Sequence, residues 1–357
     1  MSEAKQIFLH IGHYKTGTSA IQDFLSGNAH RLREYGFLYP ACARPRNNPT
    51  NHGHLSLSLA RAHGFRPPPW YREEMSADAA FADLDETLAG APEDRVILSS
   101  EEFVQLAMRK DPDAAVQDLK HRLAAHRVTV VFFIREPLSL LKSWFNEVNK
   151  GPVPTKTFPV FFMNLNEVFL SQQRIWAVYA RHFGTENVRL VTYKNVGSAH
   201  LAEFLSVVGC AMPPPEQADL VQQAQPEETL ELTRLSKERP GTLDDHTVTA
   251  IGDVARFHRR AARIGSAYDQ VAQHADEPRP SQLTAEAVID HYARLLRPLQ
   301  QTETLNQKEA ENLRDLALKA EDVDIGLARA LMQAAQVIRP DGKLINRKVA
   351  EYLDKLS

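Results

Sequence analysis

The chain has 357 residues, 43% hydrophobic and 24% charged, with a formal net charge of -3 and two cysteines. A chain of that length buries roughly three quarters of its extended surface, so its core needs no staples. The near-neutral balance excludes an overall field drawing in nucleic acid or an anionic membrane, and Cys42 and Cys210 are too few and too far apart for a disulfide framework or a metal cluster.

In chain order, Met-Ser-Glu-Ala-Lys shows no signal-peptide pattern before the first strand begins. Gln6 to Gly12 is an apolar run ending in glycine, which predicts a buried strand. Ile21, Phe24, Leu25 and Leu32 keep one face at helical spacing and predict one helix, with Gly36 as its stop. Gly36 to Pro40 is a short second strand, and Ala41 to Asn51, rich in Pro, Asn and Arg, is a loop. Arg95–Ser99 and Val128–Ile134 predict two more buried strands. The second is the longest apolar run and is far too short to span a bilayer. A helix carrying Ile175, Trp176, Tyr179 and Phe183 precedes a fifth strand, Asn187 to Tyr193.

This alternation argues for an α/β fold: a mainly parallel sheet with helices on both faces and all strand C-termini along one edge. After Pro213-Pro-Pro215 the texture changes to Ala, Leu, Glu, Gln and Arg, mostly helical, broken at Pro240-Gly241, Pro278 to Pro280 and Pro340 to Gly342. The expected division is a nucleotide-binding core over residues 1–212 and a helical C-terminal extension over 216–357. A soluble protein of the reducing cytoplasm is expected, with no transmembrane segment and no nucleic-acid partner.

The strongest local signal is Gly12-His-Tyr-Lys-Thr-Gly-Thr-Ser19, between a strand and a helix. A helix N-terminus offers unpaired N–H groups and a positive dipole end, so such a loop can cradle an anion. In the nucleotide P-loop a lysine follows the second glycine. Here Thr18 follows Gly17, and the cation is Lys15, inside the loop. The same letters also suit a plain strand–turn–helix connection whose Lys and Thr residues only cap the helix. The second constellation closes the strand Val128–Ile134 with Arg135-Glu-Pro137, Pro137 suiting a first helical position. Leu138, Leu141, Phe145 and Val148 line one face of the next helix and Ser143 falls nearly opposite. An Arg fork and a serine hydroxyl suit a phosphate, though a salt-bridging Arg and a solvated Ser fit the pattern too.

Together these residues resemble the PAPS-dependent sulfotransferases, PAPS being 3′-phosphoadenosine-5′-phosphosulfate. His10 to Ser19 is similar to their 5′-phosphosulfate loop, with Lys-Thr-Gly-Thr as its core, and Phe133 to Ser143 to their 3′-phosphate element. The resemblance continues through Trp176 to Gly209 in the manner of bacterial carbohydrate sulfotransferases and fades after the proline linker. It implies a P-loop-like three-layer sandwich. It also implies Lys15 on the bridging oxygen of the leaving phosphate, His13, Thr16, Gly17, Thr18 and Ser19 around the 5′ side, and Arg135 and Ser143 on the 3′-phosphate. The product is 3′-phosphoadenosine-5′-phosphate, and the scheme requires no metal.

A hydroxyl or amine acceptor, by resemblance on a carbohydrate, needs a base. Glu101, in Ser99-Ser-Glu-Glu-Phe103 after a buried strand, is one candidate; His52 and His54, in Asn51-His-Gly-His-Leu55, are the others. Ser-Ser-Glu-Glu is also a capping pattern, and loop histidines can be bystanders, so the base stays open. Ala41 to Pro69 and Lys150 to Asn164 are the expected specificity segments. Two rival readings stand beside this one. A P-loop kinase or NTPase with a displaced lysine would need ATP and magnesium. A catalytically inactive nucleotide-binding scaffold would use the C-terminal helices to bind a partner or form a homodimer.

Overall fold

The computed structural model describes residues 4–73, 75–194, 197–214, 226–238, 245–301 and 307–357. Pro215, residue 216 and the Pro240-Gly241 break lie outside them. The chain runs β1 (Gln6–Gly12), α1 (Thr18–Gly27), α2 (Ala29–Glu34), β2 (Phe37–Leu38), α3 (Gly53–Ala62), α4 (Ala77–Ala89), β3 (Arg95–Ser99), a 3₁₀ helix (Glu101–Met108), α5 (Pro112–Arg122) and β4 (Arg127–Ile134). It continues through α6 (Pro137–Lys150), α7 (Phe158–Asn164), α8 (Glu167–Ser171), α9 (Gln173–Phe183), β5 (Val188–Thr192) and α10 (Gly197–Val208). Helices follow: α11 (Glu227–Ser236), α12 (Asp245–Ile251), α13 (Val254–Ala272), α14 (Ala285–Leu296), α15 (Gln307–Ala320), α16 (Ile325–Ile338) and α17 (Lys343–Leu356). Among the described residues no helix is long and apolar enough to cross a membrane.

The chain forms two compact units that are not consecutive segments. The first comprises Met1–Arg135, Gln172–Gln222 and Gln270–Arg279; the second comprises Glu136–Ser171, Gln223–Asp269 and Pro280–Ser357. The first unit is α/β, built on a five-stranded, all-parallel sheet in the order β2–β3–β1–β4–β5. Parallel strands buried on both faces must be apolar nearly throughout, which is why the strands stand out in the sequence as short apolar runs. On one face Ile97, Val131, Phe133 and Val191 pack with Ile21, Leu25 and Leu32 of α1 and α2 and with Leu201, Phe204 and Leu205 of α10. On the other, α9 rests on β4 and β5 and the 3₁₀ helix on β1, where the Tyr179 hydroxyl donates to the Phe103 carbonyl at 2.8 Å.

The single helix expected up to Gly36 is two. Asn28 breaks it, its side-chain amide donating back to the Phe24 carbonyl at 2.9 Å, a local bond that competes with the helical ladder. The strand order places the site. The chain leaves β1 toward β2 on one side of the sheet and leaves β4 toward β5 on the other. The C-terminal ends of the neighbours β1 and β4 therefore flank a topological switch point, where open α/β sheets bind ligands.

The second unit is helical among its described residues. α14, α15 and α17 pack on α16, and Pro340–Gly342 falls in a break between helices as the sequence predicts; Pro278–Pro280, where the chain passes between the units, also falls in a break. Its α6 begins at Pro137 in the first helical position, with the Glu136 carboxylate accepting from the Leu138 and Ser139 N–H groups at 2.9 and 2.8 Å.

Candidate functional site

The loop after β1 turns by left-handed backbone at three residues: Gly12 (φ 66°), Lys15 (φ 60°) and Gly17 (φ 73°). The glycines answer to space as well as to angle. A Cβ on Gly12 would sit 2.6 Å from Thr18 Cγ2, and one on Gly17 would sit 2.5 Å from Nε2 of His200 on α10. Lys15 adopts the same region with a full side chain, which costs about 1–3 kcal/mol and is characteristic of functional loops. The strain is braced from inside. Thr16 Oγ1 donates to the His13 carbonyl at 2.6 Å and accepts from the His13 N–H at 3.1 Å, and the buried His13 ring lies by Phe132. Gly17 then caps α1 and has no side chain to bond the first N–H groups of that helix. Thr18 is buried at its first position and Ser19 partly buried beside it.

Arg135 follows β4 directly. Its backbone is clamped by Gln172, which accepts from the Arg135 N–H at 2.9 Å and donates to its carbonyl at 2.6 Å. Its guanidinium donates to the Lys15 carbonyl and lies 4.7 Å from the centre of the Tyr193 ring. The structure thus brings Arg135 and the Lys15 loop together within the first unit. Ser143 belongs to the second unit, partly buried on α6.

At the end of β3 the chain enters the 3₁₀ helix at Glu101. Its carboxylate accepts from Gln22 Nε2 of α1 at 2.8 Å, and the side chain is crowded but keeps some exposure to solvent. Burial raises its pKa above the usual carboxylate range, against the opposing pull of the Gln22 hydrogen bond and the Lys15 ammonium. Glu102 is more enclosed. It accepts from Ser100 Oγ at 2.7 Å, and burial followed by the neighbouring Glu101 charge pushes its pKa up to about 8. Lys15 and Glu101, from two different loops, therefore feel each other at the same sheet edge.

His52 and His54 are placed differently. His52 has no exposure: Nδ1 accepts from the Ser99 N–H at 3.1 Å while Nε2 meets the Pro40 carbonyl at 3.0 Å. Both nitrogens hold backbone groups, and burial lowers the pKa to about 3. His54 is buried on α3 with Nδ1 2.9 Å from the Tyr71 hydroxyl, its pKa lowered by burial. Neither is brought to Lys15.

Four residues at the site escaped the sequence reading: Gln22, Gln172, Tyr193 and His200. Gln22 gave one signal, a polar residue one turn beyond Thr18 on the otherwise apolar face with Ile21 and Leu25. Buried His200 and His10 stand behind the loop with pKa values lowered to about 4 and about 3, burial being the first cause in each. No protein-family model matches the chain, and no curated protein matches it.

Proposed function

We propose that the chain is a PAPS-dependent sulfotransferase, its first unit a P-loop-like sandwich, acting on a hydroxyl or amine, by resemblance on a carbohydrate. The observation that carries this reading is the meeting of three groups at the β1/β4 switch point: the Lys15 loop in strained left-handed backbone, Arg135 against that loop, and the Glu101 carboxylate within the field of Lys15. The residues present fit the nucleotide. Gly12 and Gly17 let the loop pack tightly against Thr18 and His200 where a Cβ would collide, the start of α1 is capped by a residue with no side chain to take its N–H groups, and Lys15 and Arg135 supply cationic donors.

When bound, PAPS supplies an activated sulfonate: sulfur bonds to the acceptor oxygen while its bond to the phosphate oxygen breaks, that oxygen keeping the electron pair. Lys15 and the N–H groups of residues 17–19 stabilise negative charge on the leaving side, the preorganised electrostatic effect that dominates in such sites. Arg135, fixed by Gln172 and Tyr193, holds the 3′-phosphate. Glu101 takes the acceptor proton: both His52 nitrogens hold backbone groups, His54 pairs with Tyr71, and neither histidine is brought to Lys15. The free cysteines Cys42 and Cys210 fit a reducing cytoplasm.

The test is calorimetric titration of 3′-phosphoadenosine-5′-phosphate in EDTA, with ATP in parallel. Metal-free binding of the bisphosphate, weakened about 10- to 100-fold in Arg135→Ala and much tighter than ATP, is the expected result. Binding of ATP alone, and only with magnesium, would replace this reading with a kinase.

A further inference from the structure

We propose that Gln22 is the positioning residue for the base: its side-chain amide holds Glu101 Oε2, leaves Oε1 to take the acceptor proton, and couples the carboxylate to the helix that carries the nucleotide loop. This rests on the sulfotransferase reading.

Gln22 is 1% exposed, so its amide must find partners inside the protein. Nε2 donates to Glu101 Oε2 at 2.8 Å and to Ser99 Oγ at 3.2 Å, which engages both amide hydrogens. The amide cannot be turned round, because its oxygen would then face a carboxylate oxygen with no proton between them. Ser99 Oγ lies 2.8 Å from His10 Nδ1, so the network runs from the carboxylate through α1 and the end of β3 into the core beneath the loop. An apolar side chain would fill this buried position at no desolvation cost. What the amide adds is direction, fixing one carboxylate oxygen and thereby which one faces a reacting proton.

The coupling follows from the chain path. Gln22 lies one turn along the helix whose first residues follow Gly17, so the group that orients the base sits on the helix that directly continues the loop that grips the leaving phosphate. The acceptor proton passes to Oε1 as the acceptor oxygen bonds to sulfur, and is lost to solvent after product leaves.

The charged and titratable groups facing Glu101 are Lys15 and Tyr14 of the loop, Glu102 on the same 3₁₀ helix, and Tyr39 after β2, with His10 behind Ser99. Burial opposes the ionised carboxylate, while the Gln22 hydrogen bond, a bond from the Glu101 backbone N–H and then Lys15 favour it. Removing the amide therefore leaves burial less opposed.

The experiment follows the Glu101 carboxyl titration by NMR in protein labelled with ¹³C at the glutamate carboxyls, assigned with Glu101→Gln, in the wild type and in Gln22→Leu. In Gln22→Leu the carboxyl titrates at higher pH, the acid limb of the kcat/KM profile moves in the same direction, and kcat falls about tenfold or more. Bisphosphate affinity stays within a few-fold. Should Gln22→Leu not fold, Ser99→Ala loosens the same amide and moves both readouts upward by less. An unmoved carboxyl titration overturns the proposal, and so does a moved titration with an unmoved acid limb. If the wild type binds no bisphosphate, the sulfotransferase reading fails and the proposal with it, whatever the titration shows.

Discussion

Glu101 follows the end of β3 and His52 is hydrogen-bonded to Ser99 at that same strand end, yet the fold treats them oppositely. His52 is fully enclosed, each ring nitrogen tied to a backbone group, its ring T-shaped to that of Tyr39 with the ring centres 4.9 Å apart. Glu101 keeps some exposure, holds one side-chain hydrogen bond from Gln22, and faces Lys15. A base needs an uncommitted lone pair and a path to the acceptor, and a pKa near neutrality is useful only after those are met. By composition the imidazole is the better base. By position it is a strut joining the loop before α3 to the strand end, and the carboxylate is the group in a place to react.

Glu101→Gln gives the largest expected effect. The amide is isosteric and can still accept from Gln22, so the fold and bisphosphate affinity hold while the transfer rate falls about 10²- to 10⁴-fold. A Glu101→Gln enzyme that keeps its rate would remove the carboxylate from the chemistry and reverse the comparison.

The sequence carries much of this contrast but not its outcome. The strands were legible because parallel strands buried on both faces have to be nearly continuous apolar runs, and the loop because Gly12 and Gly17 flank a lysine between strand and helix. The three base candidates were legible, Glu101 as a carboxylate at the sheet edge and His52 and His54 as histidines in the loop region after the second strand. Their ranking was not, because Asn51-His-Gly-His54 has no periodicity from which burial can be read, and His52 is enclosed by Pro40 and Ser99, residues distant in sequence. Gln22 was hidden for a related reason. One amide on an apolar helix face takes its meaning from what it faces, and Glu101 lies 79 residues away. The break at Asn28 turned on a local side-chain bond that the spacing of Ile21, Phe24, Leu25 and Leu32 does not reveal.

His52→Phe comes next and moves stability in place of chemistry. It orphans the Ser99 N–H, which costs about 1–3 kcal/mol when buried and unpaired, and takes one of two partners from the Pro40 carbonyl, which still accepts from Arg44. The pH dependence has a definite sign. With a folded pKa of about 3 against 6.5 unfolded, His52 binds a proton in the unfolded chain alone between those values. Its stabilising contribution is complete above pH 6.5 and is lost as pH falls toward 3, with a slope of about 1.4 kcal/mol per pH unit for one such group. His10 and His200 act in the same direction. Urea denaturation between pH 7.5 and 5 should therefore show wild-type stability falling with acid and His52→Phe falling less steeply, from a lower starting value. A rate loss in His52→Phe larger than its loss of folded protein would make the histidine a participant after all.

The smallest effect belongs to His54, and it separates packing from acceptor binding. Its Nδ1 bond to Tyr71 at 2.9 Å joins α3 to the segment before α4, and both rings are nearly enclosed. His54→Phe keeps the ring volume and removes that bond, for about 1 kcal/mol of stability. Burial holds the His54 pKa below 6.5, against the pull of Glu73 and Asp83, so its share of stability also fades as pH falls below 6.5. Steady-state kinetics on the variant should show an unchanged kcat and an unchanged acid limb, because no nitrogen of His54 reaches the Lys15 loop. A rise in acceptor KM at constant kcat would make His54 part of the acceptor's binding surface. A fall in kcat would restore it as a rival to Glu101, and the reason would then have to lie in a rearrangement of α3 when acceptor binds.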